Sequence, residues 1–343
     1  MPTSAARRWI PGLLLIALLP LVGPATLPPD AQAAPTNSSA TSATGAASAA
    51  LAAPSYPRYG QTGPAVWSLQ KKLVEAGLLR ADYRTGRFGP RTRAAVTALQ
   101  RRYKLRATGR MTGATAAALD KALRANIGPR TWYHRETIGR SAEGRPIVAY
   151  RAGERGKPVV MVTATMHGEE DFGQYVARGL LEGRAIKGVD LWVVPVLNPD
   201  GLARDRRWVA SHVDLNRNFP HRFIRRANSG PRASSAKETR VITKFLNRVN
   251  PRYLVSWHQP LIGVDSYAVK DRGLMRRLSA GLRIKVRRLD CHGTCHGTMT
   301  GWFNANHRGA AITVEYGSIA RSMKTMKGRD ANAVLSAIGG RRG

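Results

Sequence analysis

Acidic residues, cysteines and long apolar runs are all scarce in this 343-residue chain. It has 21 Asp and Glu residues against 55 Lys and Arg residues, which gives a formal net charge of +34. Such a charge favours anionic partners, which include nucleic acid, anionic lipid and an anionic cell wall. A high arginine content also serves solubility. Because the basic residues are scattered and do not form one stripe interleaved with aromatic residues, we expect no nucleic-acid partner.

One apolar run, near the start of the chain, has the features of an export signal. Arg7 and Arg8 precede an apolar stretch over residues 10–22, and a small-residue cleavage pattern ends at Ala33. These features predict a secretory signal peptide over residues 1–33. No later run reaches the roughly 18 apolar residues of a membrane-spanning helix. We therefore expect no membrane association after cleavage of the signal, and a retained anchor is the alternative.

The two cysteines, Cys291 and Cys295, are four residues apart. In an exported protein such a pair is a candidate disulfide. Because the loop is short, the bond would fix the local loop shape and add little chain-entropy stabilisation. A second metal site is the alternative, since His292 and His296 follow the cysteines.

The first half of the mature chain changes character twice. Residues 34–56 are rich in Ala, Ser, Thr, Pro and Gly, which predicts a flexible linker. Residues 57–125 predict a small three-helix domain, because the stretches 65–76, 92–103 and 115–123 each carry apolar residues on one helical face. A weak internal echo relates the two halves of this domain.

The helical segment contains a recurring set of short motifs: Leu69-Gln70, Thr85-Gly86, Phe88-Gly89, Thr92, Ala95-Val96, Leu99-Gln100, Thr108-Gly109 and Thr115. With these residues the segment resembles the small peptidoglycan-binding domain of wall hydrolases. The resemblance covers nearly the whole segment and implies a wall-targeting unit without chemistry of its own.

Residues 130–340 alternate apolar strands with amphipathic helices, which predicts an α/β fold with a mixed, mostly parallel sheet and helices on both faces. A turn over residues 138–147 is predicted between two strands. The other predicted strands are Val159 to Ala164, Val189 to Leu197, Arg252 to Trp257 and Ala311 to Val314, and the predicted helices are Phe172 to Glu182 and Lys237 to Arg248.

Candidate metal ligands follow the ends of these strands. His167 and Glu170 are three positions apart just beyond the first buried strand, a spacing that allows both side chains to bind one zinc ion. A bare His-x-x-Glu is usually a solvated loop pair, because the pattern is short. However, His258 follows another strand and Glu315 ends a third. If these strands are parallel, all of these residues meet at one edge of the sheet.

The residue types suggest a division of roles at one zinc ion per chain. A catalytic zinc site takes three protein ligands, so His258 is the natural third ligand beside His167 and Glu170. Glu315 is then the candidate general base. Arg217 offers a planar fork suited to a carboxylate, and an arginine from the cluster at 204–207 would stabilise an oxyanion.

The same set of motifs resembles the zinc carboxypeptidase family of the carboxypeptidase A type. The resemblance rests on His167-x-x-Glu170, Asn198-Pro199-Asp200-Gly201, Asp214-Leu215-Asn216-Arg217-Asn218-Phe219, His258 and Thr313-Val314-Glu315. The resemblance implies that His167, Glu170 and His258 bind zinc, that Glu315 is the catalytic acid and base, and that Asn216 and Arg217 hold the terminal carboxylate of the substrate. Arg204 best matches the arginine that stabilises the oxyanion, with Arg207 as the next choice.

Two departures affect the substrate. The family usually has a mobile tyrosine in the loop before the glutamate, but residues 291–302 contain none. The domain is also compact, which makes it closer to the bacterial murein peptide amidases of the family, enzymes that cleave the γ-D-glutamyl bond to meso-diaminopimelate.

We therefore expect a secreted, wall-associated, monomeric zinc metallopeptidase that acts on peptidoglycan or its peptides. A general metallocarboxypeptidase acting on protein C-termini is the main alternative. A deacylase of the aspartoacylase type and a wall-binding protein with an inactive catalytic domain are two further alternatives.

Overall fold

The computed structural model describes residues 55–80, 83–125, 128–291, 295–317 and 321–343. The predicted secretory signal, nearly all of the predicted linker and His292 lie outside these ranges. The helical part and the α/β part belong to one compact unit. The predicted domain boundaries stay predictions. None of the described helices is both long enough and apolar enough to cross a membrane.

Three helices open the described chain: α1 (Pro64–Glu75), α2 (Pro90–Arg102) and α3 (Gly113–Ala125). Proline at the first position suits the start of a helix, because its φ is already helical and its missing N–H would have had no partner there. For this reason α2 begins before the predicted start at residue 92. The apolar faces of the helices pack together around buried Val66, Leu73 and Leu99.

The internal echo of the sequence corresponds to one hydrogen-bonded arrangement that occurs twice. The side-chain amide of Gln70 donates to Thr92 Oγ1 at 2.8 Å, and that of Gln100 donates to Thr115 Oγ1 at 3.1 Å. In both copies the glutamine Oε1 accepts a backbone N–H from a glycine in the following turn. Since a buried amide needs such partners, each glutamine ties one helix to the start of the next.

The α/β part supplies the remaining elements. In chain order they are β1 (Trp132–Arg140), β2 (Pro146–Gly153), β3 (Val159–Thr163), α4 (Gly173–Leu181), β4 (Ile186–Lys187), β5 (Asp190–Val194), α5 (Pro199–Arg204), α6 (Lys237–Val249), β6 (Tyr253–His258), β7 (Ile262–Asp265), α7 (Arg272–Leu282), β8 (Val286–Arg287), α8 (Met299–Asn306), β9 (Ala310–Tyr316), α9 (Met323–Thr325), α10 (Ala331–Ala337) and β10 (Arg341–Arg342).

Eight strands form one sheet in the order β1-β2-β5-β3-β6-β9-β7-β8, and β4 pairs with β10. At its centre β5, β3, β6 and β9 are parallel neighbours. The flanking strands differ, because β1, β2 and β7 each pair antiparallel with a neighbour. The predicted mixed, mostly parallel sheet is confirmed.

Helices cover both faces of this sheet. Val160 and Val162 of β3 belong to a core shared with α4, α7 and α10, whereas Met161 belongs to a second core shared with α6 and α8. Side chains alternate between the faces of a strand, so a continuous apolar strand fills both cores. The prediction of helices on both faces is confirmed.

Candidate metal centre and active site

Neighbouring parallel strands bring the predicted ligands to one edge of the sheet. β3 ends shortly before His167, and β6 ends at His258 itself. In the register of β6 with β9, His258 lies directly opposite Glu315. The carboxyl ends of adjacent parallel strands share an edge, which is why residues far apart in sequence meet here.

The loop after β3, which carries His167, is held by close backbone contact. A Cβ at Gly168 would lie 1.9 Å from the carbonyl carbon of Gly201, so no side chain fits. The amide of Gly168 donates to the carbonyl of Arg206 at 2.9 Å. Asn198 Oδ1 in turn accepts from the amide of Gly201 at 2.8 Å. The loop is therefore seated on the first turns of α5.

His167, Glu170 and His258 form one buried cluster, and their candidate ligand atoms lie within 4.8 Å of one another. Glu170 Oε1 is 2.7 Å from His167 Nδ1, and Glu170 Oε2 is 3.0 Å from His258 Nδ1. The three side chains are at most 3% exposed. Two imidazole nitrogens and one carboxylate are the donor set of a catalytic zinc site, so these residues fit zinc.

The outer nitrogens of both imidazoles contact other groups. His167 Nε2 lies 2.9 Å from Asp214 Oδ1, and His258 Nε2 lies 3.2 Å from Ser256 Oγ. A carboxylate beside Nε2 of His167 holds the proton on that nitrogen and leaves Nδ1 able to bind a metal. Despite its approach to Glu170, Nδ1 of His167 is buried without a hydrogen bond to any described residue.

Burial disfavours the charged forms of His167 and Glu170, but the attraction between these two side chains favours the charged forms more strongly. The charge of Glu170 and the hydrogen bond to Asp214 raise the pKa of His167 to about 9. In return, His167 and His258 hold the pKa of Glu170 well below its usual range, and His167 does the same for the pKa of Asp214. The neighbouring carboxylates therefore favour a proton on His167, and a metal ion that binds there has to displace that proton.

Arg207 is the arginine that reaches this cluster. Its Nη1 donates to Glu170 Oε1 at 2.9 Å, and its Nε donates to Asp214 Oδ2 at 3.0 Å. Arg204, which we expected in this position, is instead 44% exposed and pairs with Glu143. The reason is that the chain reverses at Asp205, directly after α5. The left-handed backbone of Asp205 turns the following segment back towards the sheet edge. The geometry favours Arg207 over Arg204.

A cavity of about 680 Å³ opens beside the cluster and contains the remaining predicted residues. Glu315 lines it, and its buried Oε2 has no hydrogen bond to the described part of the chain. Burial raises the pKa of Glu315. Asn216 and Arg217 line the cavity too, and Arg217 Nη1 donates to the carbonyl of Asn216 at 2.7 Å.

The disulfide and a tyrosine form part of the cavity wall. Cys291 and Cys295 are bonded, with their Cα atoms 5.1 Å apart, and both line the cavity. Tyr267 lies in the same wall, in the segment after β7. The cavity wall therefore includes Tyr267, although the loop before Glu315, residues 291–302, contains no tyrosine.

Comparison with known families assigns both parts of the chain. Residues 130–260 match the zinc carboxypeptidase family. The chain contains a zinc carboxypeptidase domain. Residues 62–119 match the peptidoglycan binding domain family, so a peptidoglycan-binding domain precedes it. The zinc carboxypeptidase match includes the three clustered residues and ends before Glu315, whose placement beside them comes from the strand register.

Several known proteins are similar to parts of this chain. Murein peptide amidase A of Escherichia coli is 29% identical over 147 residues, which are 38% of this chain and 61% of that protein. Bacteriocin BCN5 of Clostridium perfringens is 26% identical over 232 residues, 58% of this chain and 25% of that protein. The crystal structure of the murein-tripeptide amidase of Escherichia coli O157 aligns with a TM-score of 0.48 at 23% identity, over 60% of this chain and 92% of that chain. The chain thus spans 61% or less of the length of these two curated relatives.

Sequence reasoning did not single out several polar residues that the zinc carboxypeptidase domain places at the site. Asp214 was visible in the same motif as Arg217, but nothing in the pattern showed that it contacts His167. Ser256 could have been found, because it lies two residues before His258 and so shares its face of β6. Asp265 ends a short strand that no periodic pattern marked, and Tyr267 follows it.

Proposed function

We propose that this chain is an exported zinc metallopeptidase that hydrolyses an amide bond in peptidoglycan stem peptides. The observation that supports this most is the buried cluster of His167, Glu170 and His258 in one cavity with Glu315, in a chain with a peptidoglycan-binding domain. The resemblance to murein peptide amidases drawn from the sequence favours the γ-D-glutamyl bond to meso-diaminopimelate as the bond that is cut, and the match to murein peptide amidase A supports that resemblance.

In this proposal His167, Glu170 and His258 hold one zinc ion per chain. Zinc in such a site polarises a substrate carbonyl and makes water more acidic. Glu315 accepts the proton of the attacking water and delivers it to the departing amine, and its raised pKa suits both transfers. Arg207 donates to the carbonyl oxygen as negative charge develops there.

Asn216 and Arg217 bind the departing residue by its free carboxylate. A guanidinium donates two parallel hydrogen bonds to a carboxylate, which fixes the orientation as well as adding binding energy. Arg217 lies in the cavity on a 3-10 turn, Leu215–Arg217, whose start is fixed because Asp214 Oδ1 accepts from the amide of Asn216 at 2.8 Å.

Asp265 favours a departing residue with an amino group on its side chain. Gly263 lies opposite Glu315 in the register of β7 with β9, so residues 263 and 265 face the same side as Glu315. Asp265 Oδ1 accepts backbone N–H groups from Tyr267 at 2.7 Å and Leu289 at 3.1 Å. It forms no salt bridge with any residue that the structure describes. A half-buried cavity carboxylate without a salt-bridge partner among the described residues suits the side-chain ammonium of diaminopimelate.

We expect Asp265→Asn to raise the KM for a diaminopimelate-containing peptide about tenfold, the effect of losing one charge-assisted hydrogen bond of about 1.5 kcal/mol. Burial raises the pKa of Asp265 to about 6, so its carboxyl group is charged above that pH and neutral below it. The wild-type KM should therefore rise as pH falls through about 6, and that of the variant should not change there. KM is measured on both sides of this pH.

A peptide whose departing residue lacks a side-chain amine is the matched control substrate. Its KM should be the same for wild type and Asp265→Asn at every pH. An equal rise in KM for both substrates would show that Asp265 does not contact the departing side chain.

The peptidoglycan-binding domain and the net charge of +34 would concentrate the enzyme on an anionic wall. We therefore propose a secreted, wall-associated protein that acts as a monomer on peptidoglycan or its peptides.

The proposed function is tested by mass spectrometry of purified muropeptides after incubation with the protein. We expect a loss of mass that matches release of diaminopimelate-containing fragments, and the fragment masses identify the bond. A sample treated with a chelator should show no release, and added zinc should restore it. Absence of cleavage by the zinc-loaded protein would contradict the proposal.

A general metallocarboxypeptidase is the second candidate, because Arg217 in the cavity would serve any C-terminal carboxylate. Trimming of ordinary peptides with intact muropeptides would establish it. Cleavage of neither substrate by the zinc-bound protein would indicate a different substrate or a latent enzyme, and cleavage of neither by a protein that binds no zinc would favour a wall-binding protein.

A further inference from the structure

A buried arginine of the peptidoglycan-binding domain contacts the loop that carries Glu170. Arg84 forms a two-pronged ion pair with Asp171, in which Nη2 donates to Oδ1 at 2.7 Å. The side chain of Arg84 is 7% exposed and that of Asp171 is 0% exposed. Arg84 lies within the segment that matches the peptidoglycan-binding family, and Asp171 lies within the zinc carboxypeptidase match. The pair therefore joins the two domains.

Aromatic rings from both domains enclose the same guanidinium. The central carbon of Arg84 is 5.4 Å from the ring centroid of Trp67 and 5.3 Å from that of Phe172. Trp67 belongs to α1, and Phe172 directly follows Asp171. Removal from water strengthens cation–π contacts and two-pronged ion pairs, so this contact has a defined geometry.

The residues that Arg84 contacts are linked to two of the three proposed metal ligands, Glu170 and His258. Asp171 directly follows Glu170 in the chain. The amide of Phe172 donates to Gln259 Oε1 at 2.9 Å, and Gln259 directly follows His258. One set of contacts that begins at Arg84 therefore flanks both Glu170 and His258.

We infer that Arg84 is a positioning residue for the metal centre, so that the peptidoglycan-binding domain is a structural part of that centre as well as a wall-targeting unit. This inference rests on the proposed zinc site. Without Arg84, the carboxylate of Asp171 would be a buried charge without its partner, which is strongly unfavourable. The loop would shift to bring that carboxylate to water, and Glu170 would move with it.

The test is the zinc affinity of the full-length protein, measured by competition with a chromogenic chelator. Arg84→Gln should weaken zinc binding about tenfold, the effect expected for residues that support metal ligands. Arg91→Gln is the matched control, because Arg91 is an exposed arginine of the same domain that packs on Tyr83. Its zinc affinity should equal that of wild type.

Further variants keep the test decisive if Arg84→Gln folds poorly. Arg84→Lys retains the charge but not the two-pronged geometry, so its zinc affinity should lie between those of wild type and Arg84→Gln. Asp171→Asn should weaken binding as Arg84→Gln does, and the double variant should be no weaker than either single one.

The outcomes separate this inference from the proposed function. A wild-type protein that binds no zinc would contradict the proposed function itself. Zinc bound equally by wild type, Arg84→Lys and Arg91→Gln would overturn the inference and leave the proposed function intact. An equal loss in Arg91→Gln would also overturn it, since the effect would then come from the domain in general.

Discussion

Replacing Glu315 by glutamine is expected to lower kcat about 10³-fold with the zinc content unchanged. Glutamine preserves the shape of the side chain but cannot accept or deliver the proton, and proton transfer by a positioned carboxylate contributes about 10²- to 10⁴-fold to a rate. Glu315 lies opposite His258 on the neighbouring strand, outside the three-residue cluster, so the ligand set remains complete. The rate is measured as release of diaminopimelate-containing fragments, and zinc by atomic absorption.

Glu170→Gln is the matched control, because it makes the same chemical change within the cluster. It should lose zinc together with activity, since a neutral amide is a much weaker ligand than a carboxylate. Retention of more than a tenth of the wild-type kcat by Glu315→Gln would contradict the role proposed for Glu315. Loss of zinc from Glu315→Gln would instead place that residue among the ligands.

The second large effect is expected at Arg207. Arg207→Ala should lower kcat about 10²- to 10³-fold, the usual cost of removing one donor to a developing oxyanion. Arg204→Ala should change kcat less than twofold, because Arg204 pairs with Glu143 and does not line the cavity. Both rates are measured at saturating substrate on the same muropeptide.

Arg207 also contacts Glu170 and Asp214, so the zinc content of the Arg207→Ala protein must be measured as well. Zinc retained in Arg207→Ala with a depressed kcat would support the oxyanion role. Loss of zinc would show that Arg207 acts by holding Glu170. Equal effects at the two arginines, or a larger effect at Arg204, would contradict the assignment made from their positions.

The sequence predicted the central sheet well, because periodicity and strand ends are local properties. The buried strands that precede His167 and end at His258 are continuous apolar runs, and parallel strands must share an edge. The strand Ile262–Asp265 and the helices α7 and α8 were not predicted. They are short or carry many basic residues, and their packing depends on contacts far away in the chain.

Within the candidate site, the sequence identified residue types but not the direction in which their side chains lie. His167, Glu170 and His258 lie together in the structure because each is at, or shortly beyond, the end of a strand, which the sequence pattern indicates. Arg204 and Arg207 could not be separated, since the backbone reversal between them depends on tertiary packing. Asp265 was missed for the same reason, as its position depends on an antiparallel pairing with β9.

The stretch Asn198-Pro199-Asp200-Gly201 has a structural role that bears on how relatives of this protein should be recognised. Asn198 supports the turn at Gly201, and Asp200 accepts from Ser141 Oγ at 2.7 Å and from the amide of Glu143 at 3.0 Å. These side chains bind the scaffold, and none of them lines the cavity. A search with this stretch alone would therefore collect proteins that share an architecture, active or inactive, whereas Glu315 would separate the hydrolases among them.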